Sequence, residues 1–254
     1  MQISREFVSL GSIHLFIQRI FAADTKSGPT LVFLHDALGS VAQWKGFHDL
    51  VAGKLGMNAL LYDRQGHGLS GPMDRRRNPN YLHREALEVL PGLLKKLNIE
   101  HPVLIGHSDG GTIALIHGAH YPVKAIITIA AHVFVEEITL EGIREAHQIK
   151  PLLFEKLGKY HGDKTEALFN AWHDTWLDSS FRDWSIEKEI RNINAPVLAI
   201  QGTADNYGTQ AQVEGIINAV KGQKEKFFVE GAGHLPFKEQ PNLIAEKIAA
   251  FLNE

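Results

Sequence analysis

Short apolar runs rich in β-forming residues, separated by segments of helical period, recur along almost the whole chain. That alternation restricts the fold more than any other feature. The apolar runs fall at 30–35, 59–62, 102–106, 125–130, 196–201 and 226–229, and helical periods occupy 44–55, 81–97, 112–120, 209–220 and 241–252. Runs that are apolar at nearly every position suit strands buried on both faces, and parallel neighbours need crossover helices. Two further runs, 5–10 and 13–19, flank Gly11-Ser12 and predict an antiparallel hairpin at the start. The expected class is therefore α/β, with a mostly parallel eight-stranded sheet flanked by helices. Pro91 falls inside the 81–97 segment and predicts a kink or a division there.

One region breaks the pattern. From 134 to 193 no run reads as a strand, and the residues suggest several helices carrying Trp172, Trp176 and Trp184. Trp172 and Trp176 are four apart and share a helical face. The segment reads as a helical cap inserted between two strands, placed to roof the end of the sheet where α/β proteins bind ligands. The organisation expected is a core of 1–133 and 194–254, with 134–193 as the cap. Packing of the insertion onto the core and contact with substrate both account for its tryptophans.

Charge and composition exclude several classes of function. A net charge of -3 gives no electrostatic reason to expect nucleic acid or an anionic membrane as a partner. The one basic run, Asp74-Arg75-Arg76-Arg77, reads as a solvated loop. Without cysteine there is no disulfide framework and no thiolate chemistry. The first twenty residues alternate polar and apolar instead of forming an export signal, and the longest apolar runs fall far short of the ~20 residues that span a bilayer. A soluble, cytoplasmic protein is expected.

The stretch "PVLIGHSDGGTIALI" (102–116) places Ser108 between glycines, after a predicted strand and before a predicted helix. G-x-S-x-G in that setting is the pattern of a nucleophile elbow, in which a strained turn lifts the hydroxyl out of the sheet. A serine needs a base, and the base needs an acid that holds its tautomer. His234, in "VEGAGHLPFKEQP", follows the last predicted strand. Asp205, in "VLAIQGTADNYG", follows the one before it. Loops at the carboxyl ends of parallel strands converge on one rim of the sheet, where Ser108 also emerges. Glu136 is a weaker candidate for the acid. His67, His161 and His173 lack partners at metal-ligand spacing, so no metal is expected, and no cofactor fingerprint is present.

The order Ser108, Asp205, His234, together with "LVFLHDALGS" (31–40) and "YDRQGHGLS" (62–70), resembles the α/β-hydrolase fold superfamily over essentially the whole chain. The second segment is similar to the superfamily's D-x-R-G-x-G-x-S, with Gln65 as a variation in spacing. The resemblance implies that the backbone N–H groups of Ala37 and Asp109 form an oxyanion hole, and that Leu38, His132, Phe134, Trp172 and Trp176 line the pocket. Two departures stand out: Asp36 where the family usually has glycine, and an acidic side chain at Asp109. The latter is expected to be held by a structural hydrogen bond. His35 and His107, beside the two amides, are expected to orient the loops.

The implied activity is hydrolysis of a small ester-like substrate through an acyl-enzyme. A carbon-carbon hydrolase of ring-cleavage products is the alternative, and it would need a cationic clamp such as Arg182 or Arg191. A slow-turnover receptor with an intact triad is a third reading. The sequence assigns no oligomeric state.

Overall fold

The computed structural model describes residues 1–22, 28–75 and 77–253. Its frame is one eight-stranded sheet in the order β1-β2-β4-β3-β5-β6-β7-β8. Strands β1 (Gln2–Leu10) and β2 (Ile13–Phe21) form the hairpin, and β2 joins β4 (Ala59–Tyr62) antiparallel. From β4 onward, through β3 (Leu31–Leu34), β5 (Val103–His107), β6 (Ala125–Ile129), β7 (Val197–Gly202) and β8 (Lys224–Val229), every pairing is parallel.

The apolar runs produce this sheet because alternate residues feed opposite cores. Val32, Leu34, Leu104, Ile126, Val197 and Ala199 join one cluster, whereas Leu31, Phe33, Ile105, Ile127, Leu198 and Ile200 join the other. Helix α1 (Phe47–Leu55) covers the second cluster. Helices α2 (Tyr81–Arg84), α3 (Leu90–Lys96) and α4 (Asp109–His120) cover the first. Truncating any of these buried leucines or isoleucines to alanine is expected to cost about 2–5 kcal/mol.

Pro91 does not divide its segment. A π-helical turn at Glu85–Val89 sits immediately before it, between α2 and α3. The wider turn rearranges the backbone bonding just ahead of the residue that lacks an N–H, and the segment stays helical from Tyr81 to Lys96.

Between β6 and β7 lie α5 (Glu137–Gln148), α6 (Lys150–His161) and α7 (Thr165–Leu177). The extended contact there is an isolated bridge between Phe134 and Ser185. Helix α8 (Gln210–Ala219) follows β7, and α9 (Pro236–Glu239) and α10 (Pro241–Asn253) follow β8, with α10 completing the second cluster. No described helix is long and apolar enough to cross a membrane.

Candidate active site

Ser108 is the turn between β5 and α4, with φ 52° and ψ -119°. For a residue with a Cβ this backbone is strained by about 1–3 kcal/mol and persists only where its surroundings enforce it. Two glycines permit the enforcing contacts. A Cβ at Gly106 would lie 2.2 Å from the carbonyl oxygen of Gly110, and one at Gly110 would lie 1.9 Å from that of Leu34. Helix α4 thus sits directly against β3 and β5, and its first amides point toward Ser108. The helix begins at Asp109, three residues before the apolar periodicity starts, because the Gly110-Gly111 pair carries no hydrophobic signal.

His234 lies on the loop between β8 and α9, and Asp205 on the loop after β7. The His234 Nδ1 is 3.0 Å from each Asp205 carboxylate oxygen. Since an ionised carboxylate only accepts, Nδ1 carries the proton and Nε2 keeps its lone pair. Burial would raise the Asp205 carboxyl. The His234 hydrogen bond and charge, with the Tyr207 amide at 2.8 Å, outweigh it and hold the group below its ordinary value. The His234 carbonyl meets His107 Nε2 at 2.8 Å, and its ring lies 4.9 Å from that of Tyr207.

Ser108, His234, Ala37 and Asp109 line one cleft of about 350 Å³. Its walls are largely apolar, with Ile143, Leu157, Trp172 and Trp176 contributed by α5, α6 and α7, and Leu38 by the loop after β3. His132 lines it too, buried, with Nε2 donating to the Tyr207 carbonyl at 2.9 Å. Phe134 does not. It packs toward α8, where a Cβ on Gly215 would meet its ring at 3.2 Å. Glu136 binds Thr209 and Gln212, so its carboxylate is committed away from His234. Arg182 pairs with Glu137 on the exposed surface, and neither it nor Arg191 is among the cleft residues.

The loop carrying Ala37 is fastened at successive carbonyls. The Arg64 guanidinium donates to Asp36 O at 2.6 Å and lies 3.4 Å from His35 O, and His35 Nδ1 donates to Asp36 O at 2.8 Å. His67 Nε2 lies 3.1 Å from Ala37 O, and His161 Nε2 donates to Leu38 O at 2.9 Å. The Asp36 carboxylate closes the turn by accepting from the Leu38 amide at 2.9 Å and contacting His107 Nδ1 at 3.2 Å. Burial works against charging Asp36, but the His107 bond and nearby positive charge keep it far below the usual carboxylate range.

The Asp109 carboxylate turns away from the cleft and is 1% exposed. It accepts from Tyr81 Oη at 3.0 Å through both oxygens and from Arg64 at 3.4 and 3.5 Å. Tyr81 in turn accepts from Trp176 Nε1 at 3.0 Å. Burial, and then the Asp109 charge, push the Tyr81 hydroxyl well up, so it stays a donor. For Arg64 burial opposes the charge, and Asp109 and Glu85, with Tyr81 and Tyr62, together more than restore it.

Arg64 and Tyr81 carry no role in the sequence reading, although Arg64 stands in the quoted "YDRQGHGLS" segment. The basic run also differs from a solvated loop. Arg75 is exposed, but Arg77 is half-buried, 3.1 Å from His67 Nε2 and stacked over the Tyr81 ring at 4.9 Å. Arg76 lies outside the described residues.

The model of the alpha/beta hydrolase family matches residues 31–247. The chain belongs to that family and is a hydrolase of it. It is 25% identical to the serine hydrolase BPHL of Mus musculus over 94% of this chain and 84% of that protein. It is 29% identical to a proline iminopeptidase of Lactobacillus delbrueckii subsp. bulgaricus, over 99% of this chain and 98% of that one. Among solved structures, a bacterial membrane phospholipase A superposes with a TM-score of 0.79 at 22% identity, covering 99% of this chain and 86% of that one, a likeness of fold.

Proposed function

We propose that the chain is a serine hydrolase that cleaves an ester or similarly activated carbonyl through an acyl-enzyme. The observation that carries this reading is the His234–Asp205 contact. It commits Nδ1 to the carboxylate and leaves Nε2 as a base on the cleft that Ser108 also lines. His234 takes the Ser108 proton as Oγ attacks the carbonyl carbon, and Asp205 stabilises the resulting imidazolium. The amides of Ala37 and Asp109 hold the tetrahedral oxyanion. His234 then protonates the leaving alcohol, and water, deprotonated by the same nitrogen, releases the acid and restores Ser108. That a relative is itself a serine hydrolase supports the assignment.

The segment 134–193 serves as the cap, contributing the apolar side chains that would contact substrate. Lys238 is the single Lys or Arg among the described cleft residues, and Asp36 and Glu239 stand beside it. That balance supports an uncharged, mainly apolar ester over the acidic dienoates that a carbon-carbon hydrolase would take.

Turnover of p-nitrophenyl esters of graded chain length by the parent and by Ser108→Ala tests the reading. Multiple turnover that falls at least about 10³-fold in the variant is the expected result. Activity within tenfold of the parent in Ser108→Ala would overturn the serine mechanism. A single slow turnover by the parent, with ligand-dependent thermal stabilisation, would point to the receptor reading.

A further inference from the structure

We propose that Arg64 is the positioning residue of the oxyanion hole, one buried guanidinium that sets the aim of both donor amides. The inference rests on the assignment of Ala37 and Asp109 as those donors. On the first side the link is covalent geometry. The Asp36 carbonyl and the Ala37 N–H belong to a single planar peptide unit and point in opposite directions. A bond of 2.6 Å from Arg64 to Asp36 O therefore fixes the plane in which the Ala37 N–H lies. The same charge-assisted bond polarises the peptide, which strengthens its N–H as a donor at the far end.

On the second side Arg64 reaches the residue after the nucleophile. Its Nη1 and Nη2 lie 3.4 and 3.5 Å from Asp109 Oδ2, and the Asp109 amide is the first of α4, without a partner in the helix. Tyr81 braces the same carboxylate and is itself held by Trp176 of the cleft wall. Arg64 is 1% exposed, so these contacts, with the nearby Glu85 charge, stand in for water around its guanidinium. A purely structural ion pair needs only one acid. This guanidinium instead divides its donors between the two loops that a carbonyl oxygen must bridge.

The prediction separates transition-state from ground-state binding, because an oxyanion exists only in the former. Arg64→Lys keeps the charge but loses the planar fork. Asp109→Asn keeps the shape, releases the second attachment and serves if the lysine variant does not fold. For whichever variant melts cooperatively, kcat and KM are measured on a neutral p-nitrophenyl ester, with the inhibition constant of an alkylboronic acid, which forms a tetrahedral adduct at an active serine. The expected result is a 10- to 100-fold fall in kcat, KM within threefold of the parent, and boronate binding weakened by a factor similar to that for kcat. A kcat within threefold of the parent, a loss confined to KM, or a fall in kcat with boronate affinity retained would each overturn the proposal. Ser108→Ala distinguishes the failures. If it stays active, the serine mechanism falls and this inference with it; if it is inactive while the Arg64 variant is normal, only the inference falls.

Discussion

Asp205 and His234, 29 residues apart in the chain, meet through both carboxylate oxygens at 3.0 Å. The distance in sequence is bridged because each residue leaves the carboxyl end of a strand, and those strands, β7 and β8, are parallel neighbours in register from Val197↔Lys224 to Gly202↔Val229. Asp205→Asn would offer an amide N–H to Nδ1 and favour the wrong imidazole tautomer. The fold should survive, while kcat for ester hydrolysis falls by on the order of 10³–10⁴. Steady-state kinetics alongside a thermal melt check this; a loss below tenfold would mean that the carboxylate does not set the state of His234.

Two glycine substitutions of identical chemistry should have opposite effects. Gly110→Ala drives a Cβ to 1.9 Å from a strand carbonyl, a contact that requires α4 to move off β3. A loss of at least about 3 kcal/mol, or failure to fold, is expected. Gly92→Ala in α3 meets only the Leu10 side chain, at 3.6 Å, and removes helix-interior glycine. It should stabilise by about 0.5–1 kcal/mol. Urea denaturation of both variants measures the difference.

Acid should weaken the fold from just below neutrality. His35, His67, His132 and His161 are buried, and burial, as the largest influence on each, lowers their pKa values. Below pH ~6.5 the unfolded chain binds these protons before the folded one does, so stability rises with pH in that window and falls as pH drops through it. Each histidine contributes up to about 1.4 kcal/mol per pH unit until its folded pKa is reached. His161 shows why: its Nδ1 accepts the Gly68 amide at 2.9 Å and has no room for a second proton. His161→Gln should flatten the dependence between pH 6.5 and 5.5, read from urea midpoints. Parallel curves for the two proteins would contradict this.

Much of the frame was legible because its signals are local. Strand positions follow from continuous apolar runs, and Ser108, Asp205 and His234 sit on loops whose place is fixed by strand order. The contacts that shape the oxyanion loops are not local. Arg64 reaches Asp109 across 45 residues and Asp36 across 28, and Trp176 reaches Tyr81 across 95. An arginine in a Gly-rich loop looks solvated in sequence, because nothing nearby in the chain shows the carbonyls and carboxylate that compensate its burial. Its place just after β6 predicts Phe134 on the pocket, but it bridges to Ser185 and packs toward α8, a pairing 51 residues away in the chain, whereas His132 faces the cleft. The missing N–H of Pro91 predicts an interruption, and the π-turn that precedes it leaves no mark in composition.

A serine mechanism needs one activated oxygen. Treating the folded protein with a fluorophosphonate probe and mapping the adduct by mass spectrometry asks directly which side chain it is. Stoichiometric modification of Ser108, abolished in His234→Ala, is the predicted result. Labelling at another residue with Ser108 unmodified, or equal labelling of Ser108 in His234→Ala, would contradict it.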